Sequence, residues 1–190
     1  MAEDYFKRNN WVKKDEYYTP KLLVDVIIPY LKPKSTIWCP FDTENSEFVL
    51  NLQEAGFKVI YSHIWEGKDF LTWEPEEDYD YIISNPPFSI KLKVLEKLFK
   101  LEKPFAVIMG LPILNYQEVG NFFYEQQENG NRLQLLIVDK KVSFDGNTAS
   151  FNNSYYCSKL LPHDIIFAHL SHNNSKKNYV GSRMFQDVSE

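Results

Sequence analysis

Apolar residues recur at helical spacing in four stretches of the chain and form short continuous runs between them. The first helical stretch begins at Thr19-Pro20, where Thr19 can cap the helix and Pro20 suits its first turn. The other three stretches cover residues 45–55, 89–101 and 116–128. Short apolar-rich runs predict strands at residues 35–39, 57–61, 79–84, 104–110, 133–138 and 164–169. Residues 67–71 are interpreted either as a turn alone or as a turn with a third, short strand.

The alternation of strands and helices predicts a doubly wound α/β domain with a mostly parallel sheet and helices on both faces. We expect this single domain to cover residues 1–171, with residues 1–16 as an N-terminal extension and residues 172–190 as a polar, mobile tail. Residues 141–155 are predicted to form a long polar loop, and the seventh strand to form an antiparallel hairpin with the sixth.

Ligands of such sheets bind at the carboxyl ends of the strands. The segments to search are therefore residues 40–45, 62–69, 84–89 and 111–115.

The composition is that of an ordinary folded domain, with 44% hydrophobic residues and no apolar run near the ~20 residues of a membrane helix. The two cysteines form no C-x-x-C pair and the N-terminus is too acidic for a secretory signal, so we expect a cytoplasmic protein away from membranes. The four histidines lack metal-ligand spacing, so we expect no metal. The net charge of −5 argues against tight unassisted binding of nucleic acid, although a local basic patch can coexist with an acidic total.

The most informative segment is Asn85-Pro86-Pro87-Phe88, which directly follows the predicted strand 79–84. Two prolines remove two backbone donors and fix φ, so the chain must stand rigidly off the end of the strand. Such a turn presents an amide oxygen, a backbone carbonyl and an aromatic face. An NH₂ group on a planar ring could donate to Asn85 and to the Pro86 carbonyl while Phe88 stacks on the ring.

Residues Ser84 to Phe88, placed after an apolar strand, resemble the catalytic motif of amino-methyltransferases, especially phage-type N6-adenine DNA methyltransferases. The resemblance implies a Rossmann-like methyltransferase fold with strand order 3-2-1-4-5-7-6 and S-adenosylmethionine as cofactor. It also implies that DNA is the partner, with an adenine flipped into a pocket. Asn85, Pro86, Pro87 and Phe88 would then be the catalytic residues.

The same resemblance extends to the cofactor site. Tyr18, Thr19 and Pro20 resemble the motif that touches the methionine part of the cofactor. Asp42 and Glu44 stand where the family has its first cofactor loop, although the glycines usual there are absent. Ser62-His63 replaces the acidic residue that bonds the ribose, whereas Asp69 and Phe70 could contact the adenine ring. The residues assigned to the cofactor are therefore Tyr18, Thr19, Pro20, Asp42, Glu44, Asp69, Phe70 and Asn85.

Downstream residues occupy positions where related enzymes contact the target base. With the motif itself, they give a predicted substrate-binding set of Phe88, Ser89, Phe144, Asn152, Asn153 and Tyr155. The alternative interpretation is that the segments containing Phe144, Asn152, Asn153 and Tyr155 form a solvated loop without a binding role.

Three functions remain open at this point. The first is methylation of adenine N6 in DNA, and the second is methylation of an amine in RNA or of a protein glutamine amide. The third is an inactive, methyltransferase-like binding module, which the glycine-poor cofactor loop would favour. Family members that modify particular DNA sequences often carry a separate recognition domain. This chain has no room for one, so we expect low sequence specificity, a protein partner that supplies target recognition, or a smaller substrate.

Overall fold

The computed structural model describes residues 19–143 and 150–170 of the chain. The expected N-terminal extension 1–16 and polar tail 172–190 lie outside the described residues, as do Tyr18 and Phe144. None of the described helices is long and apolar enough to cross a membrane.

Four α-helices and nine strands make up the described part of the chain. The helices are α1 (Lys21–Asp25), α2 (Glu47–Glu54), α3 (Lys91–Leu101) and α4 (Gln117–Glu128), and 3₁₀ turns cover Ile28–Tyr30, Ile64–Glu66, Phe88–Ile90 and Leu111–Asn115. The strands are β1 (Thr36–Cys39), β2 (Lys58–Tyr61), β3 (Tyr81–Ser84), β4 (Phe105–Gly110), β5 (Gln134–Val138), β6 (Val142–Ser143), β7 (Ser150–Phe151), β8 (Asn153–Ser158) and β9 (Ile165–Ala168).

Seven of these strands form one sheet in the order β2-β1-β3-β4-β8-β5-β9. All neighbours are parallel except β8, which runs antiparallel to both β4 and β5. Strands β6 and β7 pair separately as a two-stranded ribbon. The predicted doubly wound α/β class with a mostly parallel, seven-stranded sheet is confirmed.

Helices cover both faces of this sheet, and each face has its own apolar core. On one face, α1 and α2 pack against Ile37, Ile83 and other inward side chains. On the opposite face, α3 and α4 pack against Trp38, Ile82 and Val107. Because the inner strands are covered on both sides, they are apolar at consecutive positions, which is why the sequence shows continuous runs there.

The strand order departs from the predicted 3-2-1-4-5-7-6 at the far edge of the sheet. The antiparallel strand is β8, whose first three residues fall within the segment 141–155 that was predicted to be a loop, whereas β9 lies parallel to β5 at the sheet edge. The expected hairpin between residues 133–138 and 164–169 is therefore wrong. Tyr155, Tyr156 and Cys157 of β8 are buried, so they supply the apolar surface needed at an inner position.

Of the two interpretations of residues 67–71, the turn is confirmed and the third strand is wrong. Gly67 adopts a left-handed backbone with φ of 76°. The Asp69 carboxylate accepts a hydrogen bond from the Leu71 amide at 2.9 Å, and the Asp69 carbonyl accepts from the amides of Thr72 and Trp73. These local bonds satisfy the backbone groups that a strand would have offered to β2.

The segment that begins at Thr19 crosses the sheet from its carboxyl half to its amino end. Near its start, the Tyr155 hydroxyl donates to the Leu23 carbonyl at 2.7 Å. Near its end, the Lys32 amide donates at 3.4 Å to the hydroxyl of Tyr81, the first residue of β3. The beginning of α1 is thus directed toward the carboxyl edge of the sheet.

Replacing Tyr155 by Phe tests the contact that ties α1 to β8. The Tyr155 ring is 1% exposed, so the variant would leave the buried Leu23 carbonyl without this donor. We expect Tyr155→Phe to lower the free energy of unfolding by about 1–3 kcal/mol in urea titrations. Tyr124→Phe is the matched control because Tyr124 is 66% exposed. Equal stability of the two variants would contradict this role of the hydroxyl.

Candidate functional site

The carboxyl ends of β1, β2, β3 and β4 meet at one edge of the sheet. The antiparallel strand β8 begins at this same edge, because Asn153 pairs with Gly110 at the end of β4. The Leu111 amide extends this pairing by donating to the Asn152 carbonyl at 2.9 Å. Loops from four parallel strands and the first residues of β8 therefore surround one region of the surface.

The Asn85-Pro86-Pro87-Phe88 turn leaves this edge directly from β3. Ser84, the last residue of β3, is fully buried, and Pro86 is buried as well. The side-chain oxygen of Asn85 is also buried. Pro87 has an extended backbone, with φ of −58° and ψ of 130°, and a 3₁₀ turn from Phe88 to Ile90 then leads into α3. The proline pair holds the turn between two regular elements, as the sequence predicts.

A cavity of about 390 Å³ lies beside this turn, within the range of small-molecule sites. The turn contributes Phe88, and β8 with the residue before it contributes Asn153 and Asn152. Asn85 and Pro86 precede Phe88 and are not part of the lining. The full lining is Phe88, Lys91, Met109, Gly110, Pro112, Ile113, Tyr116, Asn152 and Asn153.

Three predicted substrate-binding residues, Phe88, Asn152 and Asn153, thus meet in one cavity although they are far apart in sequence. Ser89 is exposed next to Phe88 and does not line the cavity. Tyr155 also lies outside the lining, because its ring is in the core and its hydroxyl bonds to Leu23.

On the other side of the turn, Asp42 forms the main polar contact of the loop after β1. Its carboxylate accepts a short hydrogen bond from the hydroxyl of Ser84, the residue before Asn85. Its amide donates to the Ser62 carbonyl at 3.2 Å, which joins the loop to the end of β2. Ser62 in turn accepts from the Trp38 indole nitrogen at 3.0 Å. The ends of β1, β2 and β3 are therefore linked by polar contacts inside the fold.

The Asp42 carboxyl group is 7% exposed, and burial raises its pKa to about 6. Hydrogen bonds from Ser84 and Ser46 oppose this shift because they favour the charged form. Among the described residues, no lysine or arginine is paired with Asp42. A buried carboxylate without a cationic partner is suited to a positively charged ligand group.

The other residues assigned to the cofactor occupy different positions around this edge. Thr19 is buried and Pro20 half-buried before α1, whereas Glu44 is exposed in the loop after β1. Asp69 is half-buried, with one oxygen bonded to the Leu71 amide. Phe70 is in the core, and its ring lies 5.4 Å from Trp38.

Three residues at this edge carry roles that the sequence did not assign. His63 is buried, accepts from the Trp65 amide at 3.2 Å through Nδ1, and has its pKa lowered by burial. Lys91 and Tyr116 stand at the mouth of the cavity. Lys91 could have been suspected because it follows the motif by three residues. No group of three metal-binding side chains occurs in the described residues.

The donor set fits S-adenosylmethionine in part. The uncompensated Asp42 carboxylate and exposed Glu44 suit its positive charge, and half-buried Phe41 offers an aromatic face beside Phe70, with ring centroids 5.0 Å apart. The loop from Pro40 to Ser46 contains no glycine, so its side chains rather than a bare backbone would meet a ligand.

Solved structures share this architecture. A protein assigned as a modification subunit of a type I restriction enzyme from Vibrio vulnificus matches with a TM-score of 0.50 and 13% identity, over 83% of this chain and 48% of that one. A protein assigned as a class I S-adenosylmethionine-dependent methyltransferase from Listeria monocytogenes matches with a TM-score of 0.51 and 11% identity, over 80% of this chain and 64% of that one. This chain has the fold of class I methyltransferases.

The chain spans less than two thirds of the length of either structure. No protein-family model and no curated protein matches its sequence.

Replacing Asp42 by Asn tests the buried carboxylate through the pH dependence of stability. Because the folded pKa of about 6 exceeds the ordinary value of 3.8, the folded state binds the proton more tightly than the unfolded state. The carboxyl therefore costs nothing below about pH 4, and its cost grows as the pH rises through 6. Above about pH 7 that cost reaches about 3 kcal/mol.

We expect Asp42→Asn to be more stable than the parent protein above about pH 7, by up to about 3 kcal/mol, with the gain vanishing below about pH 4. Denaturant titrations across this pH range measure the difference. Glu44→Gln in the same loop is the control, since Glu44 is exposed. A gain that does not change with pH would contradict the raised pKa of Asp42.

Proposed function

We propose that this protein is an S-adenosylmethionine-dependent methyltransferase that acts on an exocyclic amine, the N6 of adenine in DNA. One observation carries the proposal. The turn after β3 has the buried Asp42 carboxylate on one side, bonded to Ser84, and the cavity on the other, lined by Phe88. Asn85 lies between Ser84 and Phe88 in the chain. Methyl transfer needs the acceptor nitrogen held in line with the methyl–sulfur bond of the donor, which two sites adjoining one turn would allow.

The turn supplies the groups that bind the amine. The Asn85 side-chain oxygen and the Pro86 carbonyl accept the two amine hydrogens, and Phe88 stacks on the ring. Fixing both hydrogens directs the nitrogen lone pair away from these acceptors. Met109 and Ile113 add apolar walls to the cavity, which excludes water from the bound ring.

The cofactor would lie at the ends of β1 and β2, on the Asp42 side of the turn. Asp42 and Glu44 would hold its positive amino group, Asp69 would accept from its adenine amine, and Tyr18, Thr19 and Pro20 would contact its methionine part. When bound, it supplies an electrophilic methyl group. The amine sheds its proton after transfer, so the mechanism requires no side chain with a basic pKa beforehand.

Adenine in DNA is the acceptor that we favour over an amine in RNA or a protein glutamine amide. The motif resembles N6-adenine DNA methyltransferases, and the Vibrio structure is assigned as a restriction-modification subunit. A flipped base is a flat ring that enters a pocket edge first, which suits a cavity lined by Phe88, Asn152 and Asn153. We propose that a protein partner supplies sequence recognition.

An inactive binding module is the second candidate, and one observation favours it. The loop from Pro40 to Ser46 has no glycine, and its only buried carboxylate, Asp42, already accepts a hydrogen bond from Ser84. Such a protein would still bind nucleic acid or a protein at the cavity side, without methyl transfer.

Titration calorimetry of S-adenosylmethionine, followed by transfer of a radiolabelled methyl group to DNA, RNA and protein, separates these functions. We expect micromolar binding, about −8 kcal/mol, and label in adenine of DNA. Label in RNA or in a protein glutamine would show that the methyl acceptor differs from the proposed one, while still supporting methyl transfer. Absence of binding, with and without nucleic acid, would leave the inactive module.

The variant Asn85→Ala tests the catalytic turn. Loss of one preorganised hydrogen-bond partner is expected to reduce kcat about 10²–10³-fold. Asn129→Ala is the matched control, because Asn129 is an exposed residue that follows α4. Circular dichroism checks that both variants fold. Full methylation by the Asn85 variant would overturn the mechanism.

A further inference from the structure

Tyr116 separates two concave regions at the carboxyl edge of the sheet. On one side is the cavity of about 390 Å³ that contains Phe88. On the other is an open groove of about 540 Å³, lined by Tyr116, Gln117, Glu118 and Asn121 at the start of α4. The Tyr116 side chain belongs to both linings, and the residue is 49% exposed.

A cation is stacked on this ring. The ammonium nitrogen of Lys91 lies 5.2 Å from the centre of the Tyr116 ring. Lys91 is half-buried, and within the described ranges no carboxylate forms an ion pair with it. The first turn of α3 contains no acidic residue, and the acidic group next to Tyr116, Glu118, is exposed on the groove side. The positive charge at the cavity mouth is therefore available to a ligand.

Two further lysines follow β5, close along the backbone to the start of β8. Ile137 of β5 pairs with Ser154 of β8, so the chain after β5 runs beside the start of β8, where Asn152 lines the cavity. Lys140 and Lys141 follow at once, and both are exposed. The adjacent carboxylate, Asp139, is bonded to the Leu170 amide and to His169. Two exposed lysines thus follow a strand that pairs with β8, although the whole chain has a net charge of −5.

We propose that the rim of the cavity, formed by Lys91 and Tyr116, binds the backbone of a nucleic-acid strand. The target base enters the cavity, the neighbouring nucleotide occupies the groove beside Tyr116, and Lys91 neutralises a phosphate at the mouth. The assignment of the target base rests on the proposed function. The binding of the backbone is argued from the rim itself. A nucleic-acid strand carries a phosphate and a flat base at each nucleotide, and these groups match a cation next to an aromatic ring.

A polymer uses features that smaller ligands leave empty. A free nucleoside would fill the cavity alone, without contact to the groove or to Lys140 and Lys141. A glutamine peptide has no regular negative charge to place beside Lys91. The strand also explains how an acidic protein binds DNA, because the attraction depends on local charge at the site rather than on the total.

The test measures binding of a short fluorescent single-stranded oligodeoxynucleotide with one adenine, in the absence of methyl donor and over a range of salt concentrations. We expect Lys91→Gln to weaken binding about threefold or more and to lower the slope of log K against log salt by about 1. We expect Tyr116→Leu to weaken binding about tenfold with an unchanged salt slope, since it removes stacking but no charge.

Both variants have a matched control within the same molecule. Lys100→Gln removes an exposed lysine from the last turn of the same helix, α3, at the opposite end from the cavity. Tyr124→Leu removes an exposed tyrosine of α4 that lies outside both the cavity and the groove. Neither control is expected to change the affinity or the salt slope.

The outcomes separate this inference from the proposed function. If Lys91→Gln and Lys100→Gln have the same effect, or if a glutamine peptide binds through Lys91 and the oligonucleotide does not, the inference is overturned. Methyl transfer to free deoxyadenosine would still support the proposed function in that case. Conversely, oligonucleotide binding that depends on Lys91 and Tyr116 would support the rim even if no acceptor were methylated.

Discussion

The hydrogen bond between Ser84 and Asp42 is the contact on which the geometry of the candidate site depends. It joins the end of β3 to the loop after β1 in a region closed to water, where a lost partner cannot be replaced by solvent. Asn85 follows Ser84 directly, so the position of Ser84 sets that of Asn85. Ser84 cannot move without removing a hydrogen bond from the buried Asp42 carboxylate. The prolines at 86 and 87 then extend this rigidity outward to Phe88.

The antiparallel strand β8 gives the site its second half. A sheet made only of parallel strands would bring loops to the carboxyl edge, because each strand would end there. Since β8 runs the other way, it begins at this edge, and Asn152 and Asn153 are held by pairing with Leu111 and Gly110. The Asp42 side of the site is therefore built from loops after parallel strands, whereas the cavity side rests partly on a strand. That difference gives the cavity a fixed wall opposite Phe88.

Elements with a clear local burial pattern could be predicted from the sequence. Elements whose structure depends on long-range contacts could not. Strands such as β3 and β4 were found because they are buried on both faces and apolar throughout. The strand β8 was missed because its first residues, Asn153 and Ser154, are polar although they are buried. The turn at residues 85–88 could be located because prolines act locally. The bond from Ser84 to Asp42 joins residues 42 positions apart, and no periodicity reveals it.

The net charge of −5 shows that function, too, is hard to predict from sequence alone. As an overall value, this negative charge opposes contact with nucleic acid. In the fold, several surface lysines are neutralised by carboxylates, as Lys103 is by Asp78 and Lys58 by Glu77. Lys91 has an aromatic ring as its neighbour instead of an acid. A few cations left uncompensated beside a cavity can dominate the local potential within about a Debye length, which is ~8 Å at physiological salt. What matters for binding is therefore which lysines the fold leaves without a counter-ion, and that depends on packing rather than on composition.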